Sequence, residues 1–165
     1  MDVTGEINYP SARIERVYGL LMDEAFRSHV CEATHALQHA VSVDCQADDT
    51  ATVVVRRVMP AEVPDFIKKF VGDNITIVQT ETWGRADSDG QRVADLLLEV
   101  DGQPVRMAGT IRLERAGPGA REVIRGDLRV SLPLIGRRIE PEIAKVVYAA
   151  IDAEQSIGLE WLGTR

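Results

Sequence analysis

The chain has 165 residues, one domain's worth of polypeptide, and its 45% hydrophobic and 27% charged residues exclude a disordered, collagenous or coiled-coil molecule. Nineteen Lys and Arg against 26 Asp and Glu leave a net charge of −7. That balance argues against a nucleic-acid partner, because phosphate contacts need clustered positive charge.

In chain order, Val3, Gly5, Ile7 and Tyr9 share one face of a first strand, which Pro10 stops. Ser11 is an N-cap candidate for a helix whose Ile14, Val17, Tyr18 and Leu21 form one apolar stripe. Asp23 caps a second short helix with Phe26 and Val30 inward, ending near His35. The period then changes to two. Residues 37–45 and 52–59 read as strands around a turn at 47–50. Val63, Phe66, Ile67 and Phe70 predict a short helix over 63–71, closed by Gly72. Strands follow over 75–83, 93–100, 105–114 and 122–132, with turns at Asp87-Ser88-Asp89-Gly90, Asp101-Gly102 and Gly117-Pro118-Gly119. A long helix closes the chain, its stripe formed by Ile139, Ile143, Val147, Ala150, Ile151, Glu154, Gly158 and Trp161. Pro141 predicts that its regular part begins there, after a looser stretch over 134–140. Antiparallel strands with segregated helices define a single α+β domain over 1–165.

Cys31 and Cys45 form no CxxC pair and read as reduced thiols of a cytoplasmic protein. The opening MDVTGEINYP has neither a basic region nor an apolar run, so no signal peptide is expected. No apolar stretch is long enough for stable membrane insertion. His29, Cys31, His35 and His39 fall close together, but a structural zinc wants four ligands and no second cluster exists, so no metal and no cofactor is expected. There is no nucleophile elbow, zinc-protease motif or P-loop, and no catalytic residue can be named. Arg121, Arg125, Arg129, Arg137 and Arg138, interrupted by Glu122, Asp127 and Glu140, read as a solvated outer face.

The strings VVVRRVMP (53–60), PDFIKKFVGD (64–73), VQTETW (78–83) and VIRGDLRVSLPLIG (123–136) carry a resemblance that spans the chain. The sequence resembles the START-like (SRPBCC) superfamily of polyketide cyclases and lipid-transfer proteins, the helix-grip fold. Within it the sequence is similar to a bacterial family of unknown function. The resemblance implies a seven-stranded antiparallel sheet curled around the last helix, with a cavity between them. It does not fix function, because one scaffold hosts hydrolases, cyclases, carriers and receptors.

Strand alternation nominates the cavity wall. Leu96 and Leu98, then Met107, Gly109 and Ile111, then Gly126 and Leu128 face inward. Gly109 and Gly126 mark either a tight bend or a cavity floor. In residues 75–83 the threonines take one face, which turns Gln79, Glu81 and Trp83 inward, opposite Arg57. A buried Glu81 needs a cation, and Arg57 is the expected partner, bonded to Glu81 or Gln79. Shifting the phase by one would instead put these groups in solvent. Val147 and Ile151 face the sheet from the last helix. Glu154, on the same stripe, either reaches the cavity mouth, or is buried with a raised pKa, or sits solvated at the stripe's edge. The first functional expectation is a binder or carrier of a hydrophobic small molecule or lipid. The alternatives are a cyclase- or hydrolase-type enzyme using Glu81, Arg57 or Glu154, and a protein-interaction module with a collapsed cavity.

Overall fold

The structure is a computed structural model, and it describes residues 1–163. The elements follow the order β1 (Asp2–Tyr9), α1 (Ile14–Leu21), α2 (Glu24–Ala33), β2 (Gln38–Cys45), β3 (Ala51–Pro60), α3 (Asp65–Val71), β4 (Asn74–Trp83), β5 (Arg92–Val100), β6 (Val105–Ala116), β7 (Gly119–Val130) and α4 (Gly136–Trp161). The strands form one sheet in the order β1-β7-β6-β5-β4-β3-β2, and each neighbouring pair is antiparallel. This is the helix-grip arrangement. The alternating apolar residues Val53, Val55, Ile75, Ile77, Leu96, Leu98, Ile111 and Leu128 form the core beneath α4, whose Ile139, Ile143, Ala144 and Val147 are buried. No helix among the described residues is long and apolar enough to cross a membrane.

Local chemistry sets the element ends. The Asp23 side chain accepts from the backbone N–H groups of Ala25 and Phe26, at 2.8 and 3.3 Å, and starts α2. Asp87 accepts from the N–H groups of Asp89 and Gln91, both at 2.9 Å, fixing the β4–β5 turn, where Gly90 takes φ +79°.

Several boundaries differ from the sequence expectation, and four of them have a local cause. Ser11 caps no helix. Ala12 N–H closes a turn onto the Tyr9 carbonyl at 3.4 Å, and α1 begins only at Ile14 after an extended Arg13. The third helix begins at Asp65 rather than Val63, because Pro64 disfavours helical geometry in the residue before it. The last strand ends at Val130, since the Leu132 carbonyl already accepts from Gly136 N–H in the turn into α4. Finally, α4 starts at Gly136 and runs through Pro141. Its first turn is held from outside: Ile139 is buried, and the Glu140 carboxylate accepts from Val130 N–H at 3.2 Å. The proline therefore removes one helix hydrogen bond without ending the helix.

Gly109 and Gly126 pair across β6 and β7. A Cβ on Gly109 would lie 1.9 Å from the Arg125 carbonyl oxygen, and one on Gly126 would lie 2.8 Å from Met107 Cγ. These are close approaches to neighbouring atoms rather than gaps in a cavity floor. At the other contact, a Cβ on Gly5 would meet Ile151 Cδ1 at 2.8 Å, so the bare glycine lets α4 settle on β1.

Candidate functional site

A cavity of about 50 Å³ lies between the concave face of the sheet, α2 and α4. Leu96, Leu98, Met107 and Ile111 from the sheet, with Val147 and Ile151 from α4, give it apolar walls. Arg27, Arg57, Gln79, Glu81, Glu122 and Glu154 bring polar groups into the same walls. Of the other sequence-nominated residues, Trp83 and Leu128 are buried in the packed core beside the cavity, and Gly109 and Gly126 pair with each other across β6 and β7. Ile151 is half-buried.

Alternation along β4 places Gln79, Glu81 and Trp83 on one face, and the three side chains form a hydrogen-bonded row. Gln79 Nε2 donates to Glu81 Oε1 at 2.7 Å, and Trp83 Nε1 donates to Glu81 Oε2 at 2.8 Å. The cation on Glu81 is Arg27 of α2, not Arg57. Arg27 Nη1 and Nη2 reach the two carboxylate oxygens at 2.9 and 2.7 Å, and Arg27 Nε donates to the Leu21 carbonyl at 2.8 Å. Glu81 thus accepts four hydrogen bonds, which fills its lone-pair sites and leaves none for a reacting group. Burial works against the Arg27 charge, but Glu81 outweighs it with help from Glu154, and the guanidinium is held above its ordinary pKa.

Arg57 keeps the remaining position. It is 6% exposed, and Nη2 donates to Gln79 Oε1 at 3.1 Å. Its Nε–H is buried without a partner among the described residues. Burial pushes its pKa down. Gln79 therefore links the two arginines, accepting from Arg57 while donating to Glu81.

The opposite wall carries a carboxyl pair. Glu122 of β7 is buried, and Tyr9 O–H lies 3.5 Å from its Oε2. Glu122 is also hydrogen-bonded to the half-buried Glu154 of α4. Burial first, and the Glu154 charge second, push the Glu122 carboxyl well up. Burial also raises Glu154, while its hydrogen bond to Glu122 acts the other way, so the Glu122 carboxyl is the more strongly raised of the pair.

Arg27 and Glu122 are the two polar lining residues the sequence pattern does not nominate. Glu122 has the parity of Ile124, Leu128 and Val130, which face inward, so alternation alone could have turned it in. Arg27 lies three and four residues before Val30 and Cys31, on their side of α2. Cys31 is buried in the cavity wall, His29 lies edge-on to Trp161, and no group of three or more His, Cys, Asp or Glu among the described residues is placed to hold a metal ion.

Solved structures share this fold at low identity. A protein named TTHA0849 from Thermus thermophilus is 19% identical, with a TM-score of 0.63 over 97% of this chain and 98% of its own. A STAR-related lipid transfer protein from Xanthomonas axonopodis is 18% identical, with a TM-score of 0.58 over 93% and 82%. A START superfamily protein from Mycobacterium smegmatis is 14% identical, with a TM-score of 0.54 over 98% and 97%. At these identities the likeness shows the fold alone. Comparison with curated protein sequences gives no match. A family model matches residues 4–162, nearly the whole chain, and the protein belongs to that family, described as a protein of unknown function (DUF2505).

Proposed function

We propose that this protein binds a hydrophobic small molecule or lipid between the curved sheet and α4. The observation that carries the reading is the mixed lining of one interior cavity: apolar walls from Leu96, Leu98, Met107, Ile111 and Ile151 around a few fixed polar groups. A core closed only for stability gains nothing from two arginines and three carboxyls in its walls, because each buried charge costs solvation. The STAR-related lipid transfer neighbour supports the same reading by its fold. The cavity of about 50 Å³ is below the ~300–1,000 Å³ of drug-sized ligand sites. A long ligand therefore enters by displacing flexible side chains such as Met107, or by moving α4. Native mass spectrometry of freshly purified protein tests this. A carried-over apolar species released on denaturation supports binding. An unliganded mass, together with no response to an environment-sensitive apolar fluorophore, rules it out.

The Glu122–Glu154 pair favours a second reading, an enzyme of the cyclase or hydrolase type. A carboxyl pushed well up beside one raised less is a candidate general acid and general base pair on one wall of the cavity. Glu81, saturated by its four donors, takes no part in such chemistry. Under this reading Glu122→Gln abolishes turnover and leaves ligand affinity in place, whereas a pure binder shows no turnover to lose.

A further inference from the structure

We propose that the ligand's polar end is a carboxylate and that Arg57 receives it, an inference that rests on the apolar-ligand reading above. The two buried arginines make the case by contrast. Both stand in the wall of one cavity, but the Glu81 carboxylate accepts from both Nη groups of Arg27, with Gln79 and Trp83 filling its remaining sites, and accepts no hydrogen bond from Arg57. Arg57 receives only the neutral carbonyl oxygen of Gln79. Gln79 cannot turn to do more, since its amide N–H is committed to Glu81 at 2.7 Å. Among the described residues, one guanidinium N–H of Arg57 stays buried without an acceptor, on a side chain only 6% exposed. A buried cation with an unused donor is costly in a core that serves only stability, and native interiors rarely keep one. The planar guanidinium fork matches the two oxygens of a carboxylate, and the apolar walls beyond it fit a hydrocarbon or aromatic body.

The charges around Arg57 are consistent with this occupant. Arg27 from α2 and Glu81 from β4 cancel. Burial pushes the Glu122 carboxyl of β7 well up, toward its neutral form, and raises the pKa of both Tyr9 from β1 and Cys31 from α2. Glu154 from α4 is left as the counter-charge to Arg57, which it meets through space while hydrogen-bonding Glu122. An incoming carboxylate replaces it in that role, and Glu154, its own pKa already raised by burial, takes up a proton.

The test is calorimetric titration of the full chain, stripped of carried-over apolar material, with decanoate and with decanol. Running it in two buffers of different ionisation enthalpy counts the protons taken up. Decanoate is expected to bind at least about tenfold tighter than decanol, with net proton uptake. Arg57→Met is expected to erase that preference while leaving decanol affinity within about twofold, since the body of the ligand touches only apolar walls. Arg57→Gln repeats the comparison should the methionine variant fail to fold. Equal affinity of acid and alcohol for the unaltered protein overturns the carboxylate inference and leaves apolar binding standing. So does a preference for acid that survives in both variants. Absence of binding by either probe removes the apolar-ligand reading and this inference together.

Discussion

Arg27→Met strands the Glu81 carboxylate. The substitution deletes three hydrogen bonds at once: the pair to Glu81 at 2.9 and 2.7 Å and the one to the Leu21 carbonyl at 2.8 Å. Glu81 keeps Gln79 and Trp83 as donors but loses its counter-charge, at a site where only 1% of its surface is exposed. Removing one member of a buried ion pair costs about 3–5 kcal/mol. The freed Leu21 carbonyl adds up to about 1 kcal/mol. Methionine refills most of the volume, so the cavity contribution is small. The expected loss is about 4 kcal/mol, which for a domain of this size lowers the melting temperature by roughly 8–16 °C. Urea unfolding followed by tryptophan fluorescence reads it well, because the Trp83 indole is bonded to the same carboxylate. Arg57→Met is the control. It leaves the ion pair intact and removes a buried cation with one unused donor, so its stability should stay within about 1 kcal/mol of the parent, or rise. Exchanging Arg27 and Glu81 together for apolar residues should recover most of the loss. A smaller cost for Arg27→Met than for Arg57→Met would refute the assignment and return Glu81 to Arg57.

Gly5→Ala puts a methyl 2.8 Å from Ile151 Cδ1 and should cost about 1–3 kcal/mol in a denaturant melt, and adding Ile151→Val, which removes that δ-carbon, should recover part of it. Glu122 carries a folded-state pKa raised above the ordinary 4.5, so the folded chain holds the proton over an interval where the unfolded chain has lost it. Stability should therefore fall as pH climbs from about 4.5 through the folded value, and Glu122→Gln should flatten that slope; unchanged slopes in urea melts across this range would show Glu122 to be ordinarily ionised. Pro141→Ala restores an N–H that can reach the Arg137 carbonyl at an exposed position, and should raise stability by about 1 kcal/mol or more in thermal unfolding.

The fold was legible because period-two alternation and turn residues act locally. Asp23, Asp87 and Gly90 specify their own caps and turns whatever lies elsewhere. Within β4, the threonines at 76, 80 and 82 correctly turned Gln79, Glu81 and Trp83 to the concave face. What alternation could not supply was the partner. Arg57 is next door in the sheet, but Arg27 arrives from a helix packed over the concave face, and no local pattern encodes which of two buried arginines reaches the carboxylate. Glu122 failed for a different reason. Its parity points inward, yet it stands among arginines and groups with the outer charges. The start of α4 differs because proline's local penalty says nothing of the contacts of Ile139 and Glu140 that hold the preceding turn.

The sheet joins its first strand to its last, with Val3 opposite Gly126 and Tyr9 opposite Ala120. The strands from β2 to β7 can zip as successive hairpins as they are made, each needing only its neighbour. The N-terminal strand cannot. At ~5–20 residues per second of synthesis it waits on the order of 10 s for its partner, with Val3, Ile7 and Tyr9 uncovered. Docking of this strand, and of the helix that Gly5 receives, is thus a late, non-local closure of high loop entropy. Until then β7 is an unpaired edge and the concave face is open, so the nascent chain's exposure to aggregation, and its demand for chaperones, should concentrate in that interval.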